Sequence, residues 1–163
     1  MTRILVISDT HGKDLSVLPP EILDEVKSAD IVVHCGDYDR LSLLDKLRQV
    51  SKRFVGVYGN IDSIDIRKEL PAKTVFEVEG KRIGVIHPHW GGPSFDIEAA
   101  IAEEFDGVDA IFFGHTHDVC YKTVRGVVYL NPGQAYRSYK EPASAGIVNV
   151  GPDGIEVEIK TIE

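Results

Sequence analysis

Two aspartates, one asparagine and four histidines stand where apolar stretches of this chain break off. Ile4-Leu5-Val6-Ile7 gives way to Asp9-Thr10-His11, and Ile31-Val32-Val33 to His34-Cys35-Gly36-Asp37. Phe54-Val55-Gly56-Val57-Tyr58 runs into Gly59-Asn60, Ile83-Gly84-Val85-Ile86 into His87, and Ile111-Phe112-Phe113 into Gly114-His115-Thr116-His117. Carboxylate, amide and imidazole groups offer oxygen and nitrogen donors, the inventory of a divalent metal site. Their number suits two ions. Asp9 and His11 lie two residues apart, so in extended backbone both side chains can reach one ion. Taken singly, each motif is weak, since Asp37 and Asn60 are also ordinary turn residues. The combination is stronger. Of six histidines, five (His11, His87, His89, His115 and His117) follow an apolar run and His34 ends one. His34 is not counted as a ligand.

The elements that must position these residues follow from the same pattern. Short β-branched runs read as buried strands, and polar residues beyond their carboxyl ends line the crevice where α/β sheets bind ligands. Strands are expected over 3–8, 31–34 and 54–58, with helices from Pro20 to about Ser28 and over 41–51. That βαβαβ rhythm implies parallel strands with right-handed crossovers. After Pro71 the rhythm changes. Residues 73–79 and 81–87 read as a hairpin turning at Glu79-Gly80, followed by a helix over about 94–105, with Ser94 as its N-cap, and a strand at 110–113. Hairpins fill the remainder, with turns at Arg125-Gly126 and Pro152-Asp153-Gly154. No linker or repeat interrupts the chain, so one domain over 1–163 is expected, built as two packed sheets with helices outside.

Composition narrows the function. With 43% hydrophobic and 27% charged residues, the 163-residue chain suits a globular domain with its own core. The net charge of -8 comes without a basic stripe, which argues for a small substrate and against an extended nucleic acid. Two distant cysteines form no disulfide framework, and free thiols are expected. The first apolar stretch is too short for a signal-peptide core or membrane span, so the expected location is cytoplasmic, without membrane association. Val127 and Val128 read as exposed apolar residues on hairpin edges, able to pair with a second copy in a homo-oligomer.

The order D-x-H, G-D, G-N, H, G-H-x-H, closed by Asn131-Pro132-Gly133, resembles the calcineurin-like metallophosphoesterase superfamily. The likeness is greatest to its small, single-domain, YfcE-like phosphodiesterases. It implies an α/β fold, a four-layer α-β-β-α sandwich of two mixed sheets flanked by helices (the metallo-dependent phosphatase fold). It further implies two divalent cations, manganese first and nickel, iron, cobalt or zinc otherwise. One would be held by Asp9, His11, Asp37 and His117, the other by Asp37, Asn60, His87 and His115, with Asp37 bridging. The implied activity is hydrolysis of phosphodiesters of small substrates by a metal-bridging hydroxide. The alternatives are a phosphomonoesterase or nucleotidase with the same centre, or a protein-interaction scaffold like a subunit of the retromer coat.

Three departures from the family pattern bear on mechanism. Ile61 stands where many relatives carry a histidine that protonates the leaving group. Pro88 follows His87 in place of the usual glycine, removing a backbone N–H. Gln134 follows Asn131-Pro132-Gly133 where serine is usual. His89 offers a replacement acid or a phosphate contact, and equally a position outside the chemistry. Arg137 is the nearest candidate for a phosphate clamp, and reads equally well as a solvated surface arginine.

Overall fold

The fold is seen in a computed structural model that describes residues 1–88 and 97–163; His89 and Ser94 lie outside the described residues. The chain runs β1 (Thr2–Ile7), a 3-10 turn (Leu15–Val17), α1 (Pro20–Ser28), β2 (Ile31–His34), α2 (Leu41–Val50), β3 (Phe54–Gly56), α3 (Ile64–Glu69). It continues with β4 (Lys73–Val78), β5 (Lys81–Ile86), α4 (Ile97–Ala102), β6 (Ala110–Phe113), β7 (Cys120–Val124), β8 (Val127–Asn131), β9 (Ala143–Gly151) and β10 (Gly154–Ile162).

These strands form two five-stranded sheets, ordered β10-β9-β1-β2-β3 and β4-β5-β6-β8-β7. The first half pairs in parallel, Ile4 opposite Ile31 and Val33 opposite Val55, and β9 adds an antiparallel neighbour to β1. The second sheet mixes parallel pairs of β5, β6 and β8 with hairpins at both edges. Both hairpins turn with positive φ at two residues, Glu79-Gly80 and Arg125-Gly126, the type I′ geometry that matches strand twist.

Side-chain alternation explains the layering. In β1, Leu5 and Ile7 face the helices, against Ile22, Val26, Leu43, Leu47 and Ile66, whereas Ile4 and Val6 face the second sheet, against Ile83, Val85, Phe112 and Leu130. A third cluster packs Ile111, Phe113 and Tyr129 against Ile101 of α4. Three apolar interfaces separate four layers. The α-β-β-α sandwich of two mixed sheets follows directly.

The structure departs from the sequence reading in a few places. β3 stops at Gly56 because Tyr58 already donates its N–H to Pro71 outside the sheet. Among the described residues α4 ends at Ala102, where i→i+3 bonds from Glu104 and Phe105 tighten the chain into a turn. α3 was not expected. It has six residues and a single buried one, Ile66, too little to show helical periodicity. Val128 is buried and Val127 half-buried, since β8 lies between β6 and β7 rather than at an edge. Both cysteines are free, Cys35 buried and Cys120 half-buried. Among the described residues no helix is long and apolar enough to cross a membrane.

Candidate metal centre

The loops that leave the strand ends stay tied to one another. Past β1 and β2 the parallel pattern continues through loop backbone, with Asp9 N–H donating to Gly36, His11 N–H to Asp37 and Gly12 N–H to Tyr38 at 3.0, 3.2 and 2.9 Å. Beneath them, His34 accepts from Gly36 N–H at Nδ1 (3.0 Å), so its Nε2 carries the proton and donates to Thr10 Oγ1 (3.0 Å). Fully buried and stacked on Tyr38 at 3.7 Å, His34 has its pKa pushed down to about 3, chiefly by burial. It is a neutral strut joining the Asp9–His11 loop to the Asp37 loop.

Asp62 ties in the third loop. Its carboxylate accepts from the backbone N–H of Asp37 (2.9 Å), Tyr38 (2.8 Å), Asp39 (3.0 Å) and Gly59 (2.7 Å). Burial, with the nearby Asp37 charge, leaves its pKa raised, although the N–H groups of Gly59, Asp39 and Asp37 pull it down. Four N–H groups can be met only by acceptor oxygens, which favours the ionised form. The sequence reading passed over this residue. The signal available was an acid three positions after a strand-ending glycine, placed to collect turn N–H groups.

On this frame the expected ligands converge in two groups. Potential ligand atoms of Asp9, His11 and His117 lie within 4.8 Å of one another, as do those of Asp37, His87 and His115. Asp37 reaches both groups, its Oδ2 standing 3.3 Å from His87 Nε2 and 3.8 Å from His11 Nε2. Asn60 joins the second, with Oδ1 at 2.9 Å from His87 Nε2 and 3.2 Å from His115 Nδ1. Asp9 Oδ1 lies 3.4 Å from His117 Nε2. Five of these seven residues have positive φ: Asp9 (53°), His11 (46°), Asp37 (64°), His115 (86°) and His117 (63°). Such backbone costs roughly 1–3 kcal/mol per residue and clusters at functional sites.

Hydrogen bonds behind the rings set which nitrogen faces inward. His87 Nδ1 donates to the Cys35 carbonyl at 2.8 Å, leaving Nε2 toward Asp37. The Gln134 amide nitrogen donates to Tyr136 O, so its oxygen faces His117 and accepts from Nδ1 at 3.2 Å. This is how outer partners orient metal-binding imidazoles. Asp9 Oδ2 is held by Ser8 Oγ and by His115 N–H, yet Oδ1 is buried without a hydrogen-bond partner among the described residues, as is His11 Nε2. Buried polar atoms rarely go unmet. Here the two orphans belong to the same ligand group, and the donor set fits a divalent cation.

Electrostatics agree. Burial works against the Asp37 charge, but the His87 hydrogen bond and charge, Ile61 N–H and His11 hold its carboxyl below the ordinary value. Burial also opposes charge on His87, which Asp37 and Asp9 overcome to raise its pKa; the Asp9 carboxylate, 3.4 Å from its Nε2, leads the same upward shift in His117. The field therefore draws positive charge. Ile61 contributes only its backbone N–H, donated to Asp37 Oδ1 at 3.1 Å; its hydrocarbon side chain is 42% exposed. Arg137 lies on the exposed turn beyond Gln134, outside both ligand groups.

Comparison with known proteins places this fold in a class. The family model of the calcineurin-like phosphoesterase superfamily domain matches residues 2–152. The chain belongs to that superfamily. It is 37% identical over 130 residues to the probable metallophosphoesterase MJ0623 of Methanocaldococcus jannaschii, a match covering 78% of this chain and 65% of that one. Phosphodiesterase MJ0936 of the same organism is 22% identical over 143 residues, covering 81% and 83%. Among solved structures, Thermotoga maritima protein TM1076 is 36% identical with a TM-score of 0.77, covering 99% of this chain and 100% of that one. Wild-type Vps29 of Entamoeba histolytica, complexed with zinc, is 25% identical with a TM-score of 0.76 and 99% of both chains covered.

Proposed function

We propose that this chain, as one metallophosphoesterase domain over 1–163, is a cytoplasmic phosphodiesterase for small substrates that works with two divalent cations. The observation carrying the reading is the pair of three-residue ligand groups with the Asp37 carboxylate in reach of both. Asp9, His11, Asp37 and His117 would hold one cation, and Asp37, Asn60, His87 and His115 the other. When bound, such cations polarise phosphoryl oxygens and lower the pKa of water toward neutrality. The chain's own contribution is positional. Gln134 and the Cys35 carbonyl fix the imidazoles in the tautomers that ligate through Nε2, and Asp62 and His34 hold the three loops in register. Manganese is the metal we assign first, and a nitrogen and oxygen donor set without thiolate also accommodates nickel, iron, cobalt or zinc.

The leaving group meets no protonated side chain at Ile61. We therefore expect rates that depend steeply on leaving-group pKa across a series of aryl phosphodiesters; a flat series would contradict this. The deciding assay reconstitutes the protein with manganese and compares bis(4-nitrophenyl) phosphate, 4-nitrophenyl phosphate and cyclic nucleotides, with Asp37→Ala as blank. Turnover of the diester that vanishes in the blank supports the proposal, and equal activity in both overturns it. Faster turnover of the monoester would favour a phosphomonoesterase. The fold shared with Vps29 supports a second reading, a protein-interaction scaffold, which full metal uptake with no turnover of any ester would favour.

A further inference from the structure

A cleft of about 580 Å³ opens between the segment 16–21, which leads into α1, and Tyr136-Arg137, one side chain away from the His11 loop. It lies within the roughly 300–1,000 Å³ range of small-molecule sites. Two contacts join its wall to the His11 loop. The Tyr136 ring meets His11 edge-on, centroids 5.8 Å apart at 62°. Val17 packs on Gly12 so closely that a Cβ there would stand 2.8 Å from Val17 Cβ.

The lining has a definite chemistry. Leu18, Pro20 and Ile162 give it an apolar surface, and Tyr136 adds an aromatic ring. Flat pyrrolidine and phenol surfaces suit a planar ring, which gains both area burial and edge or stacked contact. Arg137 is the one cation among the lining residues and has no hydrogen bond or ion pair among the described residues. On a chain of net charge -8, an unpaired guanidinium at this place suits a phosphate oxygen. Glu21 and Glu163 also line the cleft and can accept from hydroxyl or amino groups on the ring portion.

We infer that this cleft is the subsite for the alcohol portion of the phosphoester, and that it takes a planar aromatic ring, aryl or nucleobase, with Arg137 on the phosphate side. The inference rests on the phosphoesterase reading for the identity of the ligand. The test reads binding rather than turnover. Diphenyl phosphate, a dinucleoside monophosphate and dimethyl phosphate are each titrated into the full chain, followed by methyl NMR of Leu18 and Ile162. Ring-bearing probes should shift both methyl signals, and dimethyl phosphate should not; whichever ring binds more tightly identifies the source. Ser16→Trp and Glu21→Trp, bulky changes at two exposed positions of the lining, should each weaken ring binding at least tenfold. Unmoved Leu18 and Ile162 signals, or unchanged affinity in both variants, would overturn the subsite. Shifts without turnover of the diester by the manganese-loaded protein would leave the subsite standing and remove the phosphodiesterase. Turnover without shifts would do the reverse.

Discussion

Asp62 gathers more backbone than any ligand does. Its two oxygens meet four N–H groups on the loops that present Asp37 and Asn60. Leaving a buried donor unmet costs about 1–3 kcal/mol. Asp62→Ala should therefore destabilise the fold by about 3 kcal/mol or more, read as a lower urea midpoint, and weaken metal uptake measured by calorimetry. His34 makes a different prediction, about pH. Its folded-state pKa of about 3 lies below the ordinary 6.5. The stability gained by keeping it neutral is complete above pH 6.5 and is lost as pH falls toward 3, by up to about 1.4 kcal/mol per pH unit. Thermal melts between pH 7.5 and 5 should show a steeper decline for the native chain than for His34→Gln, which keeps a polar side chain but cannot ionise. Parallel slopes would remove His34 as a source of acid lability.

The elements were legible wherever one physical signal dominated. β-branched runs ending in polar residues marked β1, β2, β5 and β6, and the paired spacing of Ile22 with Val26 is the buried stripe of α1. Every expected ligand that the structure describes stands at a strand end, because carboxyl ends of neighbouring parallel strands share one edge. What the sequence hides is what depends on three-dimensional approach. α3 has one buried residue and no stripe, and the roles of Asp62 and Gln134 exist only once separate loops meet. Val127 and Val128 seemed free on a hairpin edge because strand order, unlike strand position, is not written in local pattern. Gly59 shows the same dependence from the side of sterics. A Cβ there would stand 2.1 Å from Asp37 Oδ1 and 2.4 Å from Asp37 N. Gly59→Ala must push the β3 turn off the Asp37 loop. We expect metal affinity to fall about tenfold to a hundredfold, as when outer partners of ligands are lost, with the far-UV circular dichroism spectrum retained. Unchanged affinity by calorimetry would show that the turn yields without moving Asp37.

On the scale of the whole molecule, the two ligand groups join sheets that pack on one another mainly through apolar side chains. Asp9, His11, Asp37 and Asn60 follow strands of the first sheet, whereas His87, His115 and His117 follow strands of the second. Without a cation, the gap between them holds the strained backbone of five residues, orphaned Asp9 Oδ1 and His11 Nε2, and imidazoles that compete for protons. A cation that binds the folded chain and not the unfolded one adds about 2.7 kcal/mol at a hundred times its dissociation constant. For a chain of this length each kcal/mol moves the melting midpoint by about 2–4 °C. Manganese at that excess should thus raise Tm by about 5–10 °C, and a chelator should return it to the starting value. The shift should shrink sharply in Asp37→Asn, which keeps the shape of the side chain but loses the charge that both groups share. A native-sized shift in that variant would mean that the cation sits elsewhere, and that the edge where the two sheets meet is not its site.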